Sequence, residues 1–129
     1  MIVHHHAIVV ATVRRLTSEI RCEELETFLA GLVDAIGMQA LFKPIAIHGK
    51  FGFTGIVGIV TSHIAFHYFD EDRSLHFDVY SCKPYDLQEV LKYLDQYWNI
   101  ERADVIFLKR DEGPIIEKYT YHNHRLSKE

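Results

Sequence analysis

Ser62, His67 and Cys82 place a hydroxyl, an imidazole and a thiol within one short stretch, the imidazole five and the thiol twenty residues beyond the serine. These are the groups of nucleophilic and proton-transfer chemistry: a hydroxyl is a weak nucleophile until its target is polarised, and an imidazole moves protons near neutral pH. Thr61 directly precedes the serine, and Thr54-Gly55 lies shortly before it. Taken singly, each has an ordinary explanation. A serine at a strand junction is usually a turn residue, a histidine on an apolar strand a satisfied core residue, and a cysteine an inert thiol. Strict alternation from Ser62 puts His67 on the opposite face of its strand, so their meeting requires Ser62 to lie at a bulge or bend.

The elements that position these residues follow from periodicity. Val3 to Val13 reads as a strand, and Leu25, Phe28, Leu29, Leu32 and Ile36 line one face of a helix that Gly37 stops. Ala40 to Ile47 and Gly55 to Thr61 read as strands on either side of the glycine-rich segment Gly49 to Phe53. His63 to Phe69 and Ser74 to Cys82 form a hairpin around the polar turn Asp70 to Arg73. Asp86 caps a second helix through Leu87, Val90, Leu91 and Leu94, with Glu89 completing a capping-box pattern, and a last strand runs from Ala103 to Leu108. The polar remainder, residues 111–129, is expected to be a loosely held C-terminal extension of a domain spanning 1–110, with Ile115, Ile116, Tyr119 and Tyr121 available to pack.

The predicted order is β-α-β-β-β-β-α-β, with too few helices to cover both faces of a parallel sheet. The fold class is therefore α+β: a two-layer α/β sandwich, an antiparallel sheet with two helices on one face. In the fifth strand Leu75, Phe77 and Val79 form one face, and His76, Asp78, Tyr80 and Cys82 the other. Solvent, a ligand or a second subunit must meet that polar face.

Composition narrows the function classes. The charge of −4, spread without a basic stripe, argues against nucleic acid as a partner. No apolar run approaches the ~20 residues of a bilayer span, and the N-terminus lacks the regions of a signal peptide, so no membrane partner and a cytoplasmic location are expected. There Cys22 and Cys82 are expected to be free thiols, Cys22 with a structural role. His4, His5 and His6, with His63, His67 and His76, lack acidic or cysteine companions at metal spacing, so no metal is expected.

The segment from Thr54 to Cys82 resembles the processing and active-site region of the prokaryotic S-adenosylmethionine decarboxylases. The family pattern of Ser-Gly, Glu-Ser-His, a histidine and Asp-Val-hydrophobic-Thr-Cys is met here by Thr54-Gly55, Thr61-Ser62-His63, His67 and Asp78-Val79-Tyr80-Ser81-Cys82, with the same serine-to-histidine and serine-to-cysteine intervals. Where the pattern has Glu before the serine, Trp-Pro after the histidine and Gly after the cysteine, this chain has Thr61, Phe69-Asp70 and Lys83. The resemblance implies a self-cleaving proenzyme. Ser62 attacks the carbonyl of Thr61, and the resulting ester eliminates and hydrolyses to leave a pyruvoyl cofactor at position 62. Thr54 takes the place of the hydroxyl that stabilises the tetrahedral intermediate, and His67 that of the processing histidine. The pyruvoyl ketone forms a Schiff base with the substrate amine and takes up the electron pair left by carbon dioxide. Cys82 corresponds to the proton donor, Glu71 to the ribose-binding acid, and Phe51, Phe53 and Phe69, near His48, offer aromatic faces to adenine.

The resemblance thus implies decarboxylation of S-adenosylmethionine for polyamine (spermidine) synthesis by a symmetric homodimer that buries the second sheet face. Two alternatives stay open: a pyruvoyl-dependent ornithine or arginine decarboxylase on the same scaffold, and an uncleaved homologue that binds or regulates a partner.

Overall fold

A computed structural model describes residues 2–129. Eight antiparallel strands form one sheet in the order β2-β3-β4-β5-β1-β6-β7-β8. These are β1 (His5–Val13), β2 (Ile45–His48), β3 (Gly52–Ile59), β4 (Ser62–Phe69), β5 (Ser74–Ser81), β6 (Ile100–Lys109), β7 (Ile115–His122) and β8 (Arg125–Lys128). The helices α1 (Cys22–Ala35) and α2 (Leu87–Trp98) cover one face, as the apolar stripes require. The predicted order holds through β6, and two further strands follow.

Period-two burial decides which face each residue serves. Ala7, Val9, Ala11 and Val13 of β1, Ile64, Phe66 and Tyr68 of β4 and Leu75, Phe77 and Val79 of β5 all point toward the helices. Trp98 at the end of α2 is fully buried there, stacked on Tyr68 with ring centroids 5.4 Å apart. Phe28 of α1 packs between Tyr93 and Tyr97, ring centroids 5.2 and 4.4 Å away, and so joins the two helices. Gly55 leaves room on β3 for the Phe66 ring, which any Cβ at that position would strike. The other sheet face has no layer over it within the chain. It carries exposed Val10, Ile45, Ile47, Ile56, Ile106 and Ile116 among its polar groups.

Local signals end the helices as expected. The Asp86 carboxylate accepts from the Gln88 N–H at 2.9 Å and caps α2, and Gly37 follows α1 at φ +72. The second capping-box bond, from the Asp86 N–H to the Glu89 carboxylate, is absent among the described hydrogen bonds; Glu89 lies 3.8 Å from Lys92 instead.

The expectation of a loosely held tail is corrected. β7 pairs with β6 from Lys109↔Ile115 to Arg102↔His122, and β8 returns along β7. Asn123 and His124, both at positive φ, make the two-residue turn that suits the twist of a hairpin. Asp95 of α2 ties this hairpin down. Its buried carboxylate accepts from the Ile100 N–H at 2.9 Å, from the Tyr121 hydroxyl at 2.6 Å and from His124 Nδ1 at 2.6 Å. Tyr121 is itself only 1% exposed.

Burial opposes ionisation of Asp95, but the hydrogen bonds from Tyr121, His124 and the Ile100 N–H outweigh it and hold the carboxyl below its usual range. The ionised form is therefore the one the fold binds. Its contribution is complete above the unfolded carboxyl pKa of about 4 and is lost as pH falls through the lower folded value. Asp95→Ala is expected to cost about 3 kcal/mol near neutral pH, because it leaves buried donors unpaired. In urea titrations the gap between wild type and variant should close as the pH is taken below about 4.

Candidate active site

The residues singled out in the sequence fall into two groups on the β3–β4–β5 portion of the sheet. At one end, β3 and β4 are joined by the two-residue loop Val60-Thr61, with Ile59 opposite Ser62. Thr61 holds φ +51. For a β-branched residue this is a genuine outlier, of a kind that costs about 1–3 kcal/mol, and it lies on the N-terminal side of the peptide joining Thr61 to Ser62.

Cys82 follows β5 and lies beside this loop. Its N–H donates to Ser62 Oγ at 2.9 Å, and the Thr61 hydroxyl donates to its sulfur at 3.0 Å. The hydroxyls of Ser62 and then Thr61 lower the Cys82 thiol below the value of a free cysteine. Ser62 is 8% exposed, whereas Val60 and Thr61 stand open to solvent. A cavity of about 400 Å³ adjoins the group, lined by Met38, Gln39, Ile59, Val60, Cys82 and Lys83 among others.

The second group lies toward the other end of the same strands, on the face without helices. Thr54 on β3 is directly opposite His67 on β4, and Thr54 Oγ1 is 3.0 Å from His67 Nδ1. Phe51 and Phe69 are exposed nearby, the Asp70 N–H donating to the Phe51 carbonyl at 2.9 Å, and Glu71 is exposed in the β4–β5 turn. Phe53 departs from its expected place. It is 4% exposed on the helix side, stacked on His48 at 4.5 Å, and lines a separate cavity with Tyr68, Asp70 and Arg73.

Within one chain the two groups do not meet. β4 alternates from Ser62 to Phe69 without interruption, and its ladders with β3 and β5 run in register. The bulge or bend that would join Ser62 to His67 is therefore absent from β4. The two side chains point to opposite faces, and their Cα atoms are separated by about 17 Å of strand.

Polar groups that the sequence named separately come together in a further set, joined by Arg110. On the open face His4 Nδ1 is 2.6 Å from the Tyr80 hydroxyl, His6 Nε2 is 3.3 Å from Asp78, and the Arg110 guanidinium lies 4.9 Å from the Tyr80 ring centroid. Burial lowers the His6 pKa, against the pull of the Asp78 carboxylate. The signal was present in the alternation of β1 and β5, which sets His4 and His6 beside Tyr80 and Asp78 once those strands pair. Among the described residues, no group of three or more His, Cys, Asp or Glu is arranged to hold a metal ion, and no helix is long and apolar enough to cross a membrane.

A family profile described as S-adenosylmethionine decarboxylase matches residues 13–111, which makes the class of this protein that of a carboxy-lyase. Its fold is shared with a solved structure, the adenosylmethionine decarboxylase from Aquifex aeolicus VF5. The match has a TM-score of 0.68 at 20% sequence identity and covers 82% of this chain and 88% of that one. No curated protein matches by sequence. The chain belongs to the S-adenosylmethionine decarboxylase family.

Proposed function

We propose that the chain is a self-cleaving proenzyme that acquires a pyruvoyl group at Ser62 and decarboxylates S-adenosylmethionine, supplying the decarboxylated product for polyamine synthesis. One observation carries the reading: the peptide that must break follows a strained Thr61, and the hydroxyl that must attack it lies in a hydrogen-bonded cluster with Cys82. The Cys82 N–H occupies one lone pair of Ser62 Oγ and leaves the hydroxyl proton free to be removed. Attack on the Thr61 carbonyl replaces the amide by an ester, and breaking that peptide relieves the backbone strain at Thr61. When formed, a pyruvoyl group supplies a ketone that condenses with the substrate amine and withdraws the electron pair left by carbon dioxide. The Cys82 thiol, beside position 62, is placed to return a proton to the substrate carbon.

The base and the hydroxyl assigned to processing, His67 on β4 and Thr54 opposite it on β3, lie too far from the Val60-Thr61 loop to serve the Ser62 of their own chain. A homodimer resolves the separation. If two open faces stack about a two-fold axis that crosses β4 between the groups, the exposed Val60-Thr61 loop of each copy lies over the Thr54–His67 pair of the other, so that the pair reaches the Thr61 carbonyl from the open face while Ser62 Oγ approaches it from the helix side. The exposed aliphatic residues of that face supply the apolar surface for such an interface. Phe51, Phe69 and Glu71 then approach the second copy's Val60-Thr61 loop from across the interface, as an adenosine-binding end of the site would have to. The distribution of residues favours S-adenosylmethionine over ornithine or arginine, because two exposed aromatic rings and an acid in that group match adenine and ribose.

The test is the intact mass of purified protein under denaturing conditions. Two pieces are expected, residues 1–61 and residues 62–129, the second blocked to N-terminal sequencing. A single full-length mass after prolonged incubation would favour the uncleaved, non-catalytic alternative.

A further inference from the structure

We propose that Lys83 distinguishes substrate from product, drawing in the amino acid through its α-carboxylate and repelling the amine that remains once that carboxylate has left. The proposal rests on the decarboxylase reading above and adds to it a residue that sets which form of the small molecule the site retains.

The cavity beside Cys82 is where the substrate's reacting end must lie if position 62 carries the ketone. Lys83 is the one charged residue among those that line it. No carboxylate shares that lining, so nothing within the cavity neutralises the ammonium. Lys43, Lys92, Lys109 and Lys128 each lie within 3.9 Å of a glutamate, whereas Lys83, like Lys50 and Lys118, has no such partner among the described residues.

The backbone from which Lys83 projects is fixed. Its N–H donates to Ser81 Oγ at 3.0 Å, and the Ser81 hydroxyl donates back to the Lys83 carbonyl at 2.8 Å. Ser81 is itself buried, so the lysine stands on an anchored turn directly after the thiol.

The reaction changes the charge that Lys83 meets. An amino acid presents a carboxylate and an ammonium; decarboxylation releases carbon dioxide, takes up one proton at the α-carbon and leaves the ammonium. The product therefore carries one more positive charge than the substrate. A fixed cation at this position attracts the first and opposes the second. Because Lys83 is exposed, the attraction is screened and stays modest, which keeps the carboxylate from being held too firmly to leave.

The experiment compares Lys83→Gln and Lys83→Arg with wild type, using S-adenosylmethionine as substrate and its decarboxylated form as added inhibitor. Extent of cleavage is checked by mass in each protein and should be the same in all. Lys83→Gln is expected to lower kcat/KM about fivefold, in line with one exposed ion pair, while the inhibition constant of the product falls, meaning tighter binding. Lys83→Arg should retain the wild-type values. A merely structural loss would weaken both ligands together, so the opposite directions are the signature. Wild-type protein that releases no carbon dioxide overturns the decarboxylase reading and this proposal with it. Active wild type, with Lys83→Gln constants that move in the same direction or stay unchanged, overturns the role of Lys83 alone.

Discussion

Ser62→Ala is expected to remain one full-length chain and to release no carbon dioxide, while Cys82→Ala is expected to cleave and yet fail in turnover. The two residues are neighbours, linked by the bond from the Cys82 N–H to Ser62 Oγ, so the contrast tests their roles and not their location. Removing the serine removes both the attacking oxygen and the atoms from which the ketone is made; no other hydroxyl can replace them. Removing the thiol leaves the Cys82 N–H in place, and with it the bond that fixes a serine at 62. It would delete the acid proposed to return a proton to the substrate, a role worth roughly 10²- to 10⁴-fold in rate. A badly placed proton should also reach the wrong carbon more often and inactivate the enzyme by transamination. Subunit masses and carbon dioxide released per active site measure both effects. Wild-type turnover in Cys82→Ala would remove the thiol from the mechanism, and cleavage in Ser62→Ala would end the assignment.

The second large effect is complementation. His67→Ala and Ser62→Ala should each be inert when produced alone. Produced together, they should yield a cleaved chain whose second piece carries alanine at 67. The reason lies in the uninterrupted alternation of β4, which keeps Ser62 and His67 of one chain on opposite faces and about 17 Å apart. In a mixed dimer the Val60-Thr61 loop of the His67→Ala chain faces an intact His67 from the other copy, and one site in two is complete. If His67 served its own chain, neither partner in the mixture would hold both residues, and no cleavage would be seen. The mass spectrum separates the cases, since the diagnostic fragment differs from the wild-type one by the histidine-to-alanine change.

Much of this arrangement was legible in the residues themselves. Leu25, Phe28, Leu29 and Leu32 at helical spacing, and Leu75, Phe77 and Val79 at strand spacing, predict the layers because burial selects one face of each element. The split between Ser62 and His67 was legible too, as a consequence of counting alternate residues. The C-terminal hairpin was not. Its strands hold few apolar residues, and Ile115 and Ile116 remain exposed; what fixes it is Tyr121 and His124 reaching Asp95, a pairing between positions far apart in sequence that no local pattern encodes. The separation of Phe53 from Phe51 and Phe69 was not legible either, because it follows from the register opposite Tyr68 and His48, which turns Phe53 toward the core.

The position of β1 determines what the proposed cleavage would leave behind. Scission between residues 61 and 62 would assign β1, α1, β2 and β3 to the first fragment and all later elements to the second. Yet β1 is threaded between β5 and β6, and β3 flanks β4, so the fragments interdigitate within one sheet. Phe28 from the first fragment is likewise wedged among Tyr93, Tyr97 and Trp98 of the second. The fragments cannot part without dismantling the ladders on both sides of β1. Only the Val60-Thr61 loop gains freedom: its new end can swing away, while β4, gripped by β3 and β5, keeps residue 62 where the fold placed it.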